Sequence, residues 1–154
     1  MSTVKNIYSF LDGLYPRTLS CEWDNDGLMV CRNSEREVKK VLLALDVTRK
    51  VADEAISGGY DLIISHHPLI FRPLKQLSEE YAGALIPMKL FSAGVSVISL
   101  HTRFDAGEGG INDTLAALLG FDVISSFGPD GEKCGRLCTT SETTAHGLCN
   151  KIKE

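Results

Sequence analysis

Apolar positions along this chain follow two rhythms. Over residues 3–14, TVKNIYSFLDGL, residues Val4, Ile7, Phe10, Leu11 and Leu14 recur at helical spacing, and Pro16 ends the segment. CEWDNDGLMV then reads as a polar loop running into a short strand. The runs VKKVLLAL (38–45), DLIIS (61–65) and VSVISL (95–100) are apolar without alternation, as expected of strands covered on both faces. Pro68 cannot donate to a sheet ladder, so the second of these strands should stop at His66-His67.

Helical patterns separate the strands. VTRKVADEAISGG should form a helix, with Asp46 and Thr48 as candidate caps and Gly58-Gly59 as its stop. A second helical stretch lies around residues 79–93, where Pro87 is expected to kink or split it. After the third strand, TRFDAGEGG reads as a loop. It leads into a helix, INDTLAALLG, capped by Asn112 or Asp113 and closed by Gly120. This order predicts an α/β fold: a mostly parallel sheet sandwiched by helices in three layers, with right-handed crossovers. Past GPDGEKCGRL, a Thr/Ser-rich stretch leads into AHGLCNKIKE, which reads as a helix opening before the chain stops. Residues 1–136 are therefore assigned to one α/β domain, and 137–154 to the start of a truncated C-terminal region.

Composition narrows the class. With 154 residues, 44% hydrophobic and 23% charged, the chain can form one domain with a substantial core. The net charge of −4 comes with scattered Lys and Arg and no basic patch, so nucleic acid is not the expected partner. No segment has the length of a transmembrane helix, and MSTVKNIYSF lacks a signal-peptide pattern, so a soluble cytoplasmic protein is the default expectation. Five cysteines, an odd number, argue for reduced thiols rather than a disulfide framework.

In open α/β sheets, ligands bind beyond the carboxyl ends of the strands. Three predicted strands end at Asp46, His66-His67 and His101, which places three of the four histidines at that edge. Two adjacent imidazoles can turn in different directions and so hold different ions of a close pair. The H-x-x-x-D element from His101 to Asp105 adds a carboxylate that can ligate one ion or bridge two. Such a donor set suits zinc, iron, manganese or nickel. Two ions about 3.5–4 Å apart can activate water for hydrolysis.

Each of these residues has a plainer reading. Strand-end histidines can be surface or core residues, and Asp105 can be a turn residue beside Gly107. Asp46 reads as a helix cap rather than a ligand. His101 could be a ligand, a donor that orients Asp105, or a substrate contact. Cys134, Cys138, His146 and Cys149 fit no common zinc spacing. Ser65 lacks the G-x-S-x-G elbow of a serine hydrolase. GEGGIND lacks the Lys-Ser/Thr ending of a phosphate loop.

EWDNDGLMV, LLALDVT, GGYDLIISHHPLIFRPLK and ISLHTRFDAGEGGINDTLAALLG together resemble, in order, the motifs of the Nif-three-like family of GTP cyclohydrolase I type 2 homologues. The resemblance runs from about residue 7 to Arg136. It implies two divalent metal ions held by His66, His67 and Asp105; His101 is then expected, on its position beside them, to act as a catalytic acid or base. It further implies a toroidal homohexamer and, where an activity is assigned, hydrolytic opening of the imidazole ring of GTP or a related nucleotide. A non-catalytic, metal-dependent oligomeric regulatory or binding protein is the alternative it leaves open. Some positions depart from the family pattern. The family's C-terminal H-x-x-x-E motif is not found: His146 is followed by Gly147, Leu148, Cys149 and Asn150. Asp26 stands where the family has an apolar residue, Arg103 where it often has Asn, and Cys138 where it tends to have Gly.

Overall fold

The computed structural model of the chain describes residues 1–141 and 143–153. Helix α1 (Val4–Leu14) opens with a reciprocal cap: Thr3 Oγ1 accepts from the Asn6 amide and Asn6 Oδ1 accepts from the Thr3 amide. Strands β1 (Gly27–Val30), β2 (Val41–Ala44), β3 (Leu62–Ser65) and β4 (Ser96–Ser99) form one sheet in the order β1-β4-β3-β2. β2, β3 and β4 run parallel, and β1 is antiparallel to β4. Helix α2 (Arg49–Ser57) connects β2 to β3, and α3 (Ala82–Ala93) connects β3 to β4.

Helices cover both faces of the sheet. On one, Val30, Ile63 and Val97 pack with Ala52 and Ala55 of α2 and Leu90 of α3. On the other, Leu62 and Ile98 meet Ile7, Tyr8 and Leu11 of α1 and Phe104. The predicted three-layer, mostly parallel α/β fold is therefore present. Glu154, the last residue of the predicted terminal helix, lies outside the described residues; the helix itself, α6, spans Ala145–Lys153.

Local structure corrects several expectations. TRFDAGEGG is not all loop, because His101–Ala106 forms a short helix, α4, whose Thr102, Arg103 and Ala106 are buried. Its polar sequence hid it: the buried face includes a charged side chain. Helix α5 (Ile111–Leu118) is capped by Gly110 rather than by Asn112 or Asp113, and Asp113 instead accepts from the Gly109 amide. Thr48, not Asp46, caps α2 by accepting from the Val51 amide. Pro87 does not split α3, which runs through it with the proline buried. An antiparallel hairpin, β5 (Asp122–Phe127) and β6 (Gly135–Thr139), follows α5 and was not predicted. Every residue of β5 is exposed, so no buried apolar run marks it. The 136/137 division falls inside β6.

The antiparallel setting of β1 has the largest consequence for the site. Gly27 pairs with Ser99 at the carboxyl end of β4. The loop that precedes β1, residues 21–26, is thus delivered to the same sheet edge as the strand-end histidines.

A buried ion pair fixes that loop. Arg103 is fully buried and Asp26 nearly so. The Arg103 guanidinium donates to both Asp26 carboxylate oxygens, from Nε at 2.9 Å and Nη2 at 2.7 Å, in a forked geometry. Nη1 donates to Asp12 Oδ1 and to the Tyr15 carbonyl. Ser20 Oγ also donates to Asp26. Burial alone would depress the Arg103 pKa, but its hydrogen bonds and charge contact with Asp26 and Asp12 raise it, so it stays cationic. The two departures of the motif loops, Asp26 and Arg103, are therefore partners. Gly27 adopts φ +111°, and a Cβ there would lie 3.0 Å from the Tyr8 hydroxyl, beside this cluster.

Removing one member of such a pair strands a buried charge. Asp26→Ala is expected to lower stability by about 3–5 kcal/mol in urea unfolding. The double variant Asp26→Leu/Arg103→Met should recover most of that loss, because no charge is then left unpaired. A single-variant cost below about 1 kcal/mol would contradict the clamp.

Candidate metal centre

The carboxyl edge begins with two serines. Ser65 Oγ donates to the His67 carbonyl at 2.9 Å, which leaves the Ser99 hydroxyl as donor in the 2.8 Å Ser65–Ser99 contact. Beyond them the backbone ladder continues, with Leu100 N donating to Ser65 O and His101 N to His66 O. His101 has φ +20°, the one positive φ at a non-glycine residue among the described residues. That turn takes the chain directly from β4 into α4.

Three imidazoles meet here. One ligand atom from each of His66, His67 and His101 lies within 4.8 Å of the other two, the one such group of three among the described residues. Ring centroids are 4.9 Å apart for His66–His67, 5.4 Å for His66–His101 and 5.7 Å for His67–His101. The edge anticipated from strand order is thus assembled, and these three histidines could hold a metal ion.

Carboxylates set the tautomers of two rings. His67 Nδ1 lies 2.8 Å from Asp46 Oδ1, and His101 Nδ1 lies 2.8 Å from Asp24 Oδ1. An ionised carboxylate only accepts, so each Nδ1 must carry the proton and each Nε2 of the neutral ring keeps its lone pair. Asp46, expected as a helix cap, is instead the partner of His67. His101 bonds to Asp24 through Nδ1, and Asp105 contacts a different ring. Asp105 Oδ1 lies 3.7 Å from His66 Nε2, too long for a hydrogen bond. Two ligands that each sit about 2.0–2.2 Å from one cation can be that far apart.

Burial sharpens the electrostatics. Burial opposes ionisation of Asp24, but hydrogen bonds from the Thr102 hydroxyl and amide and from His101 outweigh it and hold the pKa below the usual carboxylate range. Burial lowers the His66 pKa, against the pull of Asp105 and with the push of the two neighbouring imidazoles. Burial raises the Asp105 pKa, against its histidine neighbours. His66 Nδ1 is buried with no hydrogen-bond partner. An orphaned buried nitrogen, three convergent imidazoles and an adjacent carboxylate together form a donor set that fits a divalent cation of the zinc, iron, manganese or nickel type.

Sequence reasoning missed Asp24, Thr102 and two aromatic side chains at the rim. Trp23 and Phe71 stand edge-on to His101, with centroids 6.1 and 6.2 Å from it. The EWDN string carried the signal, but only the antiparallel β1 brings it to this edge. The alternative cysteine set is not assembled. Cys134 instead lies with its Sγ 3.8 Å from that of Cys21, and neither is disulfide-bonded.

Fold and site together define an α/β protein with a histidine cluster, able to hold metal, at the carboxyl edge of a mixed sheet. The chain belongs to the Duf34/NIF3 (NGG1p interacting factor 3) family, whose model matches residues 2–154. It is 34% identical over 158 residues to a protein of Clostridium acetobutylicum named GTP cyclohydrolase 1 type 2 homolog, covering 98% of this chain and 58% of that protein. A Clostridium perfringens protein of the same name is 36% identical over 155 residues, covering 97% of this chain and 59% of the relative. Among solved structures, Staphylococcus aureus protein SA1388 superposes with a TM-score of 0.74 at 37% identity, over 82% of this chain and 36% of that one. The chain thus spans just under three-fifths of the clostridial relatives' length. Among the described residues, no helix is long and apolar enough to cross a membrane.

The carboxylates behind the two rings differ in burial: the Asp24 side chain is fully buried and that of Asp46 is 55% exposed. Asp46 orients His67, so Asp46→Asn is expected to weaken zinc binding by roughly 10-fold in a chelator competition, and Asp24→Asn, behind His101, by less. Equal affinity of the Asp46→Asn and wild-type proteins would show that His67 needs no orienting partner.

Proposed function

We propose that this chain supplies part of a dinuclear metal centre in a hydrolase acting on GTP or a related nucleotide. The observation that carries the reading is the convergence of His66, His67 and His101 within 4.8 Å, with Asp105 beside His66. In this reading His66, His67 and Asp105 hold two divalent ions. The paired histidines face different neighbours, Asp105 for His66 and Asp46 for His67, as ligands of two separate ions would. Bound ions would supply Lewis acidity for hydrolysis at a ring carbon.

The chain's own residues do the rest. His101, anchored through Nδ1 to a buried, ionised Asp24, keeps Nε2 free to take a proton from the attacking water and return it to the departing ring nitrogen. Asp24 stabilises the imidazolium formed between those two transfers. Trp23 and Phe71 stand edge-on beside that imidazole at the rim of the site. The proposal includes a homo-oligomer, a hexamer by family likeness. Val41 and Leu43 of edge strand β2, with Leu45 just beyond it, leave an exposed apolar stripe, which supports self-association.

Elemental analysis of protein purified without added metal should find close to two transition-metal ions per chain. His67→Ala should lose bound metal and at least 100-fold in GTP turnover. Turnover unchanged by His67→Ala would exclude this mechanism.

A further inference from the structure

Trp23 and Phe71 are both half exposed, at 58% and 45%, although each belongs to a loop that is fastened in place. Asn25 Nδ2 donates to the Ile70 carbonyl, tying the Trp23 loop to the Phe71 loop, and Asp26 clamps the first of these to α4. The two rings meet each other at 6.2 Å and 70°, and each meets His101 edge-on. Two large rings held open side by side at the rim of a candidate reaction centre form an apolar surface of the kind that marks a ligand site.

The surroundings of Trp23 indicate what that ligand is. Its indole Nε1 donates to Glu132 Oε1 at 3.2 Å and the Cys21 thiol also bonds to Glu132, but a carboxylate has about four lone-pair sites, so acceptor capacity remains. A cleft of about 510 Å³ lies beside the indole, lined also by Ser20, Glu22, Glu132 and Lys133. That volume suits a small molecule. A flat ring, an adjacent carboxylate and a nearby lysine match a planar base that presents N–H donors along one edge and carries an anionic tail. Guanine has two such donors side by side, at N1 and at its exocyclic amine. Adenine offers one amine next to an acceptor, which a carboxylate repels.

We propose that Trp23 and Phe71 form the base-binding wall of the site, with the base of a guanine nucleotide stacked on Trp23 and its N–H edge read by Glu132. The inference rests on the nucleotide-hydrolase reading above and names the residues that select its substrate. Trp23 acts by contact with the base, and Phe71 by holding the indole.

Trp23 is the single tryptophan of the chain, so its fluorescence reports the base directly. Titrating the metal-loaded protein with guanosine or GTP should quench Trp23 emission to saturation. Tripolyphosphate should not quench, and ATP should quench only at roughly 10-fold higher concentration. Trp23→Leu should raise KM for GTP by roughly 10-fold, the scale of one lost base–aromatic stack, with kcat within about threefold and metal content unchanged. Trp23→Phe should restore most of the loss. Glu132→Gln should reduce the preference for GTP over ATP. Saturating GTP turnover without any change in Trp23 emission would overturn the proposal, as would loss of metal in Trp23→Leu. If no nucleotide is turned over, the hydrolase reading fails on its own, and the guanosine titration still decides the base wall.

Discussion

The site depends on one buried contact, the forked ion pair between Asp26 and Arg103. Neither group can be solvated where it lies, so each is stable there only because the other is present. Arg103 is two residues from His101 and two from Asp105, and Asp26 is two residues from Asp24. Joining them locks the short helix α4 against the loop that enters β1. Asp24 then reaches His101 and Thr102, and Trp23 reaches the rim. Without the clamp, loop 21–26 would be a polar segment with little apolar burial to hold it.

Strand direction supplies the other half of the geometry. Three parallel strands release Asp46, His66-His67 and His101 at one edge, and the antiparallel β1 brings its preceding loop to the same place. Buried serines at the ends of β3 and β4 pin the turn that holds the paired histidines. Four chain segments therefore contribute to the cluster, and each is set by backbone pairing before any ligand arrives. That is the preorganisation a metal or substrate site needs.

Much of this was legible in the sequence. The apolar runs of β3 and β4 announced buried parallel strands, that of β2 announced a strand whose Val41 and Leu43 prove exposed at the sheet edge rather than buried, and the rule that ligands lie beyond strand carboxyl ends located the histidines. Four things were not legible. The direction of β1 cannot be read from GLMV, so Asp24 and Trp23 could not be placed beside His101. Helix α4 was hidden because Arg103 occupies a position where apolar periodicity expects a hydrophobic residue. Asp46 was misread because a carboxylate just before a helix resembles a cap, while the nearby Thr48 serves that role. The β5–β6 hairpin carries no signal because its side chains are exposed. The departures at Asp26 and Arg103 were visible as oddities, and became intelligible once the two side chains were seen to pair.

The central claim is that the imidazoles of His66 and His67, with the Asp105 carboxylate, hold the bound metal while His101 stands beside it as the base. X-ray absorption at the zinc edge of the zinc-loaded protein tests it most directly. The account predicts only nitrogen and oxygen neighbours at about 2.0–2.2 Å, with the outer-shell scattering of one to two imidazoles per ion. Sulfur neighbours at about 2.3 Å, or a spectrum without imidazole scattering, would contradict it.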